Sequence, residues 1–218
     1  MAAKGQILAA AERLFAEFGI ESVSLRQIAV AAGQRNTSAV AYHYGSKELL
    51  VEAIYVWRMT TVNAQRLARL SELGADASVR ELVRALVEPL AATLHDPGRG
   101  DEPSWYLRFI AETLWRPQFD PVINTMRRPE AESVRLVVAA LAKAVDGVAD
   151  EIFDERIRLV GMLVVTALAD RERRLQEPNP PEHLGDLGLD VLVDAATAIL
   201  TAPWPPHIAS PPTEQGSR

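Results

Sequence analysis

The 25 residues from Ser24 to Glu48 constrain this chain more than any other stretch: Ser-Leu-Arg-Gln-Ile-Ala-Val-Ala-Ala-Gly, then Gln-Arg-Asn-Thr-Ser-Ala-Val-Ala-Tyr-His-Tyr, then Gly-Ser-Lys-Glu. They predict two short helices at a sharp angle and the first turn of a third. Ser24 is an N-cap, and Gln27 three residues on completes a capping box that satisfies two orphan backbone donors reciprocally. Leu25, Ile28 and Ala29 share one face, as a packed helix requires. Ala31 and Ala32 admit a second helix at close range, and Gly33 suits a left-handed helix end. Asn36 or Thr37 caps the second helix, which buries Val40 and Tyr44 at i, i+4. Thr37, Ser38, Ala41 and Tyr42 remain outward, with His43 at the edge. Small, polar and aromatic groups of this kind suit a DNA groove, so the stretch reads as a helix-turn-helix. A pair of short antiparallel core helices with no nucleic-acid role has the same pattern, since geometry precedes function in such motifs.

The flanks bear on that choice. Ile7-Leu8-Ala9-Ala10-Ala11-Glu12-Arg13-Leu14-Phe15, Phe18-Gly19, Ser24-Leu25-Arg26-Gln27-Ile28-Ala29, Ala32-Gly33, Tyr42-His43-Tyr44 and Gly45-Ser46-Lys47-Glu48-Leu49-Leu50 follow in order. As a block, residues 4–54 resemble the N-terminal domain of the TetR family of bacterial transcriptional regulators. The turn Gln34-Arg35-Asn36-Thr37 is one residue longer than the family's usual turn, and Ala41 stands where an aromatic is frequent. The resemblance implies phosphate contacts from Lys47 beside the helix start at Ser46, with similar roles for Arg26, Tyr42 and His43. Thr37, Ser38 and Tyr42 are expected to read bases, with Arg35 and Asn36 as further candidates from the longer turn; an arginine there suits a guanine edge.

A formal charge of −6 is unusual for a DNA-binding protein, so its distribution matters. Residues 1–60 hold six cations (Lys4, Arg13, Arg26, Arg35, Lys47, Arg58) against five acids (Glu12, Glu17, Glu21, Glu48, Glu52), leaving 17 basic and 24 acidic residues for the remainder. The acidity therefore lies away from the expected DNA surface, which is compatible with phosphate binding. With 218 residues and 48% hydrophobic content the chain can bury a sizeable core. The longest uncharged apolar run, Leu159 to Ala169, is about half the ~20 residues a membrane span needs. Charged residues interrupt the N-terminal apolar pattern, which reads as a helix and not a signal peptide. The absence of cysteine gives no disulfide framework and suits the cytoplasm.

Periodicity is helical throughout. A first helix from about Lys4 to Phe18 aligns Ile7, Ala11, Leu14, Phe15 and Phe18. A fourth from Ser46 to about Leu70 carries Leu50, Ile54 and Trp57 inward and leaves Arg66 and Arg69 on a solvated side. A fifth aligns Val79, Leu82, Val83, Leu86, Val87 and Leu90. Further helices are expected around Trp105 to Trp115, over part of Val122 to Val145 with Pro129 at a first turn or kink, from Asp150 or Asp154 to about Leu175, and from Leu184 to Leu200. This predicts an all-α chain of about nine helices. Residues 1–45 form a three-helix DNA-binding domain, 46–72 a connecting helix, 73–202 a larger helical domain, and 203–218 a proline-rich disordered tail.

Sites for other chemistry are missing. No two of His43, His95, His183 and His207 share helical metal-ligand spacing, and no phosphate-cradling glycine loop or nucleophile elbow occurs. The chain is thus expected to be no enzyme and to need no metal or cofactor. Trp105, Phe109, Glu112 and Trp115 recur at helical spacing and read either as a filled core or as one wall of an effector pocket. Leu159 to Ala169 is apolar on every side, so one face packs on its own domain and the other needs a partner. Family resemblance implies a homodimer through the helices Arg156–Leu175 and Leu184–Leu200, with Gly161, Val164, Ala167 and Leu168 on the first and Leu192, Ala196 and Ile199 on the second. It also implies a ligand-responsive regulator, most often a repressor, on a palindromic double-stranded operator. The rival reading is a helical interaction protein whose helix-turn-helix is only structural.

Overall fold

The computed structural model describes residues 2–36, 38–74, 76–95, 103–114, 116, 131–179 and 186–204. Those residues hold nine α-helices and no strand: α1 (Ala2–Phe18), α2 (Leu25–Ala31), α3 (Ala39–Tyr44), α4 (Lys47–Glu72), α5 (Val79–Ala91), α6 (Tyr106–Thr113), α7 (Glu132–Ala144), α8 (Asp150–Leu175) and α9 (Asp186–Thr201). A 3-10 turn, Ala92–His95, extends α5. None of these helices is long and apolar enough to cross a membrane.

Local chemistry accounts for the first three helices. Ser24 and Gln27 form the capping box in full, each side chain meeting the other's backbone N–H. At the other end Gln34 N–H donates to Ala29 O and Gly33 N–H to Val30 O, a Schellman pair. It holds Gly33 at φ +66°, where a Cβ would be strained. Asn36 Oδ1 accepts from Ser38 N–H at 2.9 Å and shapes the entry to α3, whose N-cap is Ser38. Thr37, the other expected cap, lies outside the described residues. Ser46 caps α4 through Leu49 N–H.

The apolar core does not stop at residue 45. Ile7, Ala11 and Phe15 of α1, Ile28 of α2 and Val40 of α3 join Leu50, Ile54 and Met59 of α4 and Tyr106, Phe109 and Ile110 of α6 in one cluster. α6 lies between α1 and α8, α5 touches α4, α7 and α9, and α9 also packs on α8. A second core sits among α5, α7, α8 and α9, built on Val83, Val87, Leu141, Val160, Leu168 and Val193.

Several expectations need correction. Phe18 is exposed, and Leu8 takes its place on the α1 stripe. Trp57 is left 38% exposed because the buried stripe of α4 runs through Ile54, Arg58, Val62 and Arg66 instead. Arg66, read as solvated, is only 2% exposed. α8 starts at Asp150 behind Ala149, with no side-chain cap from Asp150 or Asp154. Pro129, Leu184 and the expected tail from residue 205 on lie outside the described residues, as does Trp115.

Candidate functional site

Most of the groups expected to meet DNA are exposed on the N-terminal bundle. Tyr42 on α3 is 86% exposed, and its ring meets His43 edge-on with centroids 5.4 Å apart. Ser38, Ala41 and His43 are exposed as well, and so are Arg26 in the first turn of α2 and Arg35 in the turn. Asn36 is exposed, with its side-chain oxygen committed to the Ser38 N–H. This leaves its amide group for outside contacts. Val40 holds the opposite face of α3 in the core.

Lys47 has a second attachment that its position in the sequence did not reveal. Its Nζ donates to the backbone oxygens of Ile20 at 2.9 Å and Glu21 at 3.1 Å. An ammonium has three N–H donors, so one remains for an external acceptor at the first turn of α4. Lys47 thus clamps the α1–α2 turn against α4 while carrying a charge at the bundle surface. Arg58, by contrast, has left the surface: its guanidinium grips Glu12 of α1 through Nε at 2.6 Å and Nη2 at 2.8 Å, both residues buried.

Between α4, α5, α6, α7 and α8 lies a cavity of about 130 Å³. Met59, Leu86, Ile110, Val138, Ile157 and Val164 make most of its wall apolar, and Gly161 leaves room where α8 passes. Arg66 and the phenols of Tyr55 and Tyr106 supply its polarity. Arg66 Nη1 donates to Ser133 Oγ at 3.1 Å and Asn63 Oδ1 at 3.4 Å, and Nη2 to Leu86 O at 3.3 Å. Its Nε has no partner among the described residues, and neither has the Tyr106 hydroxyl. Burial pushes the Arg66 pKa down to about 10, which still leaves a cation at neutral pH. The same cause raises the Tyr106 phenol well above its ordinary value, so it stays protonated.

Of the residues expected to wall an effector pocket, Trp105, Phe109 and Glu112 do not line this cavity, although α6, which carries Phe109 and Glu112, does. Phe109 is fully buried against Phe15 of α1, ring centroids 6.2 Å apart. Trp105 lies under the Arg108 guanidinium at 4.1 Å and lines a separate groove with Gln6 and Arg13. Glu112 is near the end of α1, with an oxygen 3.5 Å from where a Cβ on Gly19 would stand. Arg108 pairs with Glu172 of α8, not with Glu112. Arg66 and Tyr106 were missed, although a signal existed for the first: Met59, Val62 and Arg66 repeat at helical spacing, so the arginine continues an apolar stripe.

On α8 and α9 the expected partner face also divides. Val164, Leu168, Leu192 and Ala196 are buried inside the subunit, Gly161 lines the cavity, and Ala167 and Ile199 are half-buried. Exposed uncharged residues include Leu159 and Thr166 on α8 and Val191, Ala195 and Ala198 on α9. Val191 is 60% exposed.

Comparison with known proteins adds four findings. The sequence model described as "Bacterial regulatory proteins, tetR family" matches residues 7–54. Among solved structures, the TetR family transcriptional regulator PfmR from Thermus thermophilus is 20% identical with a TM-score of 0.51, over 89% of this chain and 96% of that one. SCO7518 from Streptomyces coelicolor, a putative transcriptional regulator by its own description, is also 20% identical, over 92% and 99% of the two chains, at a TM-score of 0.44. At these identities the first likeness speaks for the helical fold alone. No curated protein matches the chain.

Proposed function

Because the chain belongs, through its DNA-binding domain at residues 7–54, to the tetR family of bacterial regulatory proteins, we propose that it is a repressor. A homodimer binds a palindromic operator, and a small molecule in the interior cavity releases it. The observation that carries this reading is shared use of two helices. α4 and α6 line the cavity through Met59, Arg66, Tyr106 and Ile110, and the same helices hold the DNA-binding bundle through Arg58–Glu12 and Phe109–Phe15. A molecule that favours one arrangement of those walls acts on the bundle directly, by as much as its differential affinity for the two arrangements.

Arg26, Lys47 and His43 would position the bundle on phosphates, and Ser38, Tyr42, Arg35, Asn36 and Thr37 would meet base edges. One six-residue recognition helix reads few base pairs, and a two-fold pair doubles the site. The outward strip of Leu159, Val191, Ala195 and Ala198 supports a four-helix interface built from α8 and α9 of both subunits. Selection from random duplex DNA with the full chain, followed by sedimentation of the selected complex, tests the reading. An inverted repeat bound by two chains is expected. Failure to enrich any sequence would instead favour a helical interaction protein.

A further inference from the structure

Arg66 is the charge in this molecule that most needs an explanation. It is a fully buried cation with no acid paired to it among the described residues. Burying an ion without an opposite charge is expensive, and native proteins pair such groups or expose them. Here the guanidinium meets only neutral acceptors, and its Nε meets none. The other ionisable groups acting on it are the Tyr55 and Tyr106 phenols. No acidic residue lines the cavity among the described residues. Tyr106 adds a second donor without a partner, on the neighbouring wall. Two donors without partners, one positive, thus stand in a chamber that also holds the Tyr55 phenol and is otherwise aliphatic.

We propose that the effector is a small apolar monocarboxylate, its carboxylate held by Arg66 and Tyr106 and its body against Met59, Ile110, Val138 and Ile157. This rests on the reading of the cavity as the effector site and deepens it by naming the ligand class. Guanidinium and carboxylate match in charge and hydrogen-bond geometry, and the phenol satisfies a further carboxylate lone pair. A neutral guest would leave the cation unpaired, and an ammonium would repel it. Size sets a second limit: an apolar cavity of ~150 Å³ takes up benzene, so a ligand of about six carbons, the carboxylate included, suits this one.

The test uses the full-length protein and three probes of one length: hexanoate, hexan-1-ol and hexylammonium. Calorimetric titration is expected to show hexanoate binding roughly 10- to 100-fold tighter than hexan-1-ol, the range of a hydrogen bond to a charged group, with hexylammonium not binding. Arg66→Met should bring the ratio of hexanoate to hexan-1-ol affinity to about one. Arg66→Lys, which keeps the charge and loses the fork, should retain part of the preference and guards against a folding defect in the first variant. Gly161→Leu, which fills the cavity, should abolish binding of both probes. Hexanoate should also release the wild-type protein from its selected DNA site. If hexan-1-ol binds as tightly as hexanoate, and Gly161→Leu abolishes both, the carboxylate assignment falls while the cavity remains a ligand site. Hexanoate affinity that survives in Arg66→Met overturns the assignment as well. Absence of binding by every probe overturns both the ligand class and the cavity as effector site.

Discussion

Single residues on this chain separate into those whose surroundings were legible from spacing and those whose charge misled. Tyr42 is outward and Val40 inward, as a helix with one apolar flank requires. Glu12 and Arg66 look like surface residues by type, yet each falls on an apolar stripe: Glu12 between Leu8 and Phe15, Arg66 after Met59 and Val62. Stripe position decided their burial, and a partner had to be found for each charge. Glu12 found Arg58; Arg66 found only neutral groups. Glu12→Ala should therefore lower stability by about 3–5 kcal/mol, because it strands a buried guanidinium. Replacing both ends, Glu12→Leu with Arg58→Met, should recover most of that loss in urea unfolding. A single variant costing less than ~1 kcal/mol would mean that the pair is solvated in solution. Lys47→Met separates two roles. Loss of the Ile20 and Glu21 clamp should lower Tm, and loss of a phosphate contact should reduce the salt slope of DNA binding by about one. A lower Tm with an unchanged slope would confine Lys47 to the clamp.

At the level of elements, the long helices follow from periodicity, and the ends and faces depend on neighbours. α6 is only eight residues and has no side-chain cap of its own. Its first N–H, of Tyr106, goes to Ser104 Oγ at 3.4 Å, and the next two, of Leu107 and Arg108, go to Glu172 on α8 at 3.2 and 2.9 Å. No local signal announces a cap that arrives from 64 residues away. The end of α9 is closed similarly, by Arg156 of α8 donating to Leu200 O and Ala202 O, where a cation also suits the helix dipole. Face assignment on α9 yields a sharp comparison. Ala196→Glu places a charge in the subunit core and should unfold the protein, whereas Ala195→Glu should leave a folded chain that sediments as a monomer and binds its operator weakly. Equal sedimentation of Ala195→Glu and wild type would move the interface elsewhere.

α9 is also tied to α5 by charge: Arg84 meets Asp190 and Glu88, and Arg80 meets Asp194 at 2.7 Å. Burial pushes the Glu88 carboxyl up, but Arg84 and Arg69 outweigh it and hold it below the ordinary range; Arg84 does the same for Asp190. Carboxylates with depressed folded-state pKa values add stability above their unfolded values and lose it as pH falls through the folded ones. Melting temperature should therefore drop as pH is lowered below about 4, and Arg84→Met should flatten that drop. An unchanged acid profile in this variant would remove the network from the account.

For the whole molecule, the consequential feature is that its two cores meet at α6. Phe109 faces α1 while Tyr106 and Ile110 face the cavity, so the DNA-binding bundle and the chamber share one short helix. Phe109→Leu loosens the seat on Phe15 and replaces no residue that lines the cavity, although the Phe109 ring also stands 6.4 Å from that of Tyr106. It should leave hexanoate affinity within about threefold and reduce hexanoate-driven release from DNA, since coupling needs an element that both sites bias. Full release in this variant would route the coupling through α4 alone. Much of this architecture was written in the order of residues. Helical periodicity, the Ser24–Gln27 capping box and the Gly33 helix stop depend on contacts within a few positions, and they determined an all-α chain with a helix-turn-helix near its start. Burial of Arg66, the cap that Glu172 places on α6, the inward turn of Ala196 and the chamber itself were decided only by tertiary structure. Each depends on which helix lies opposite, and facing partners tens of residues apart leave no trace in local spacing.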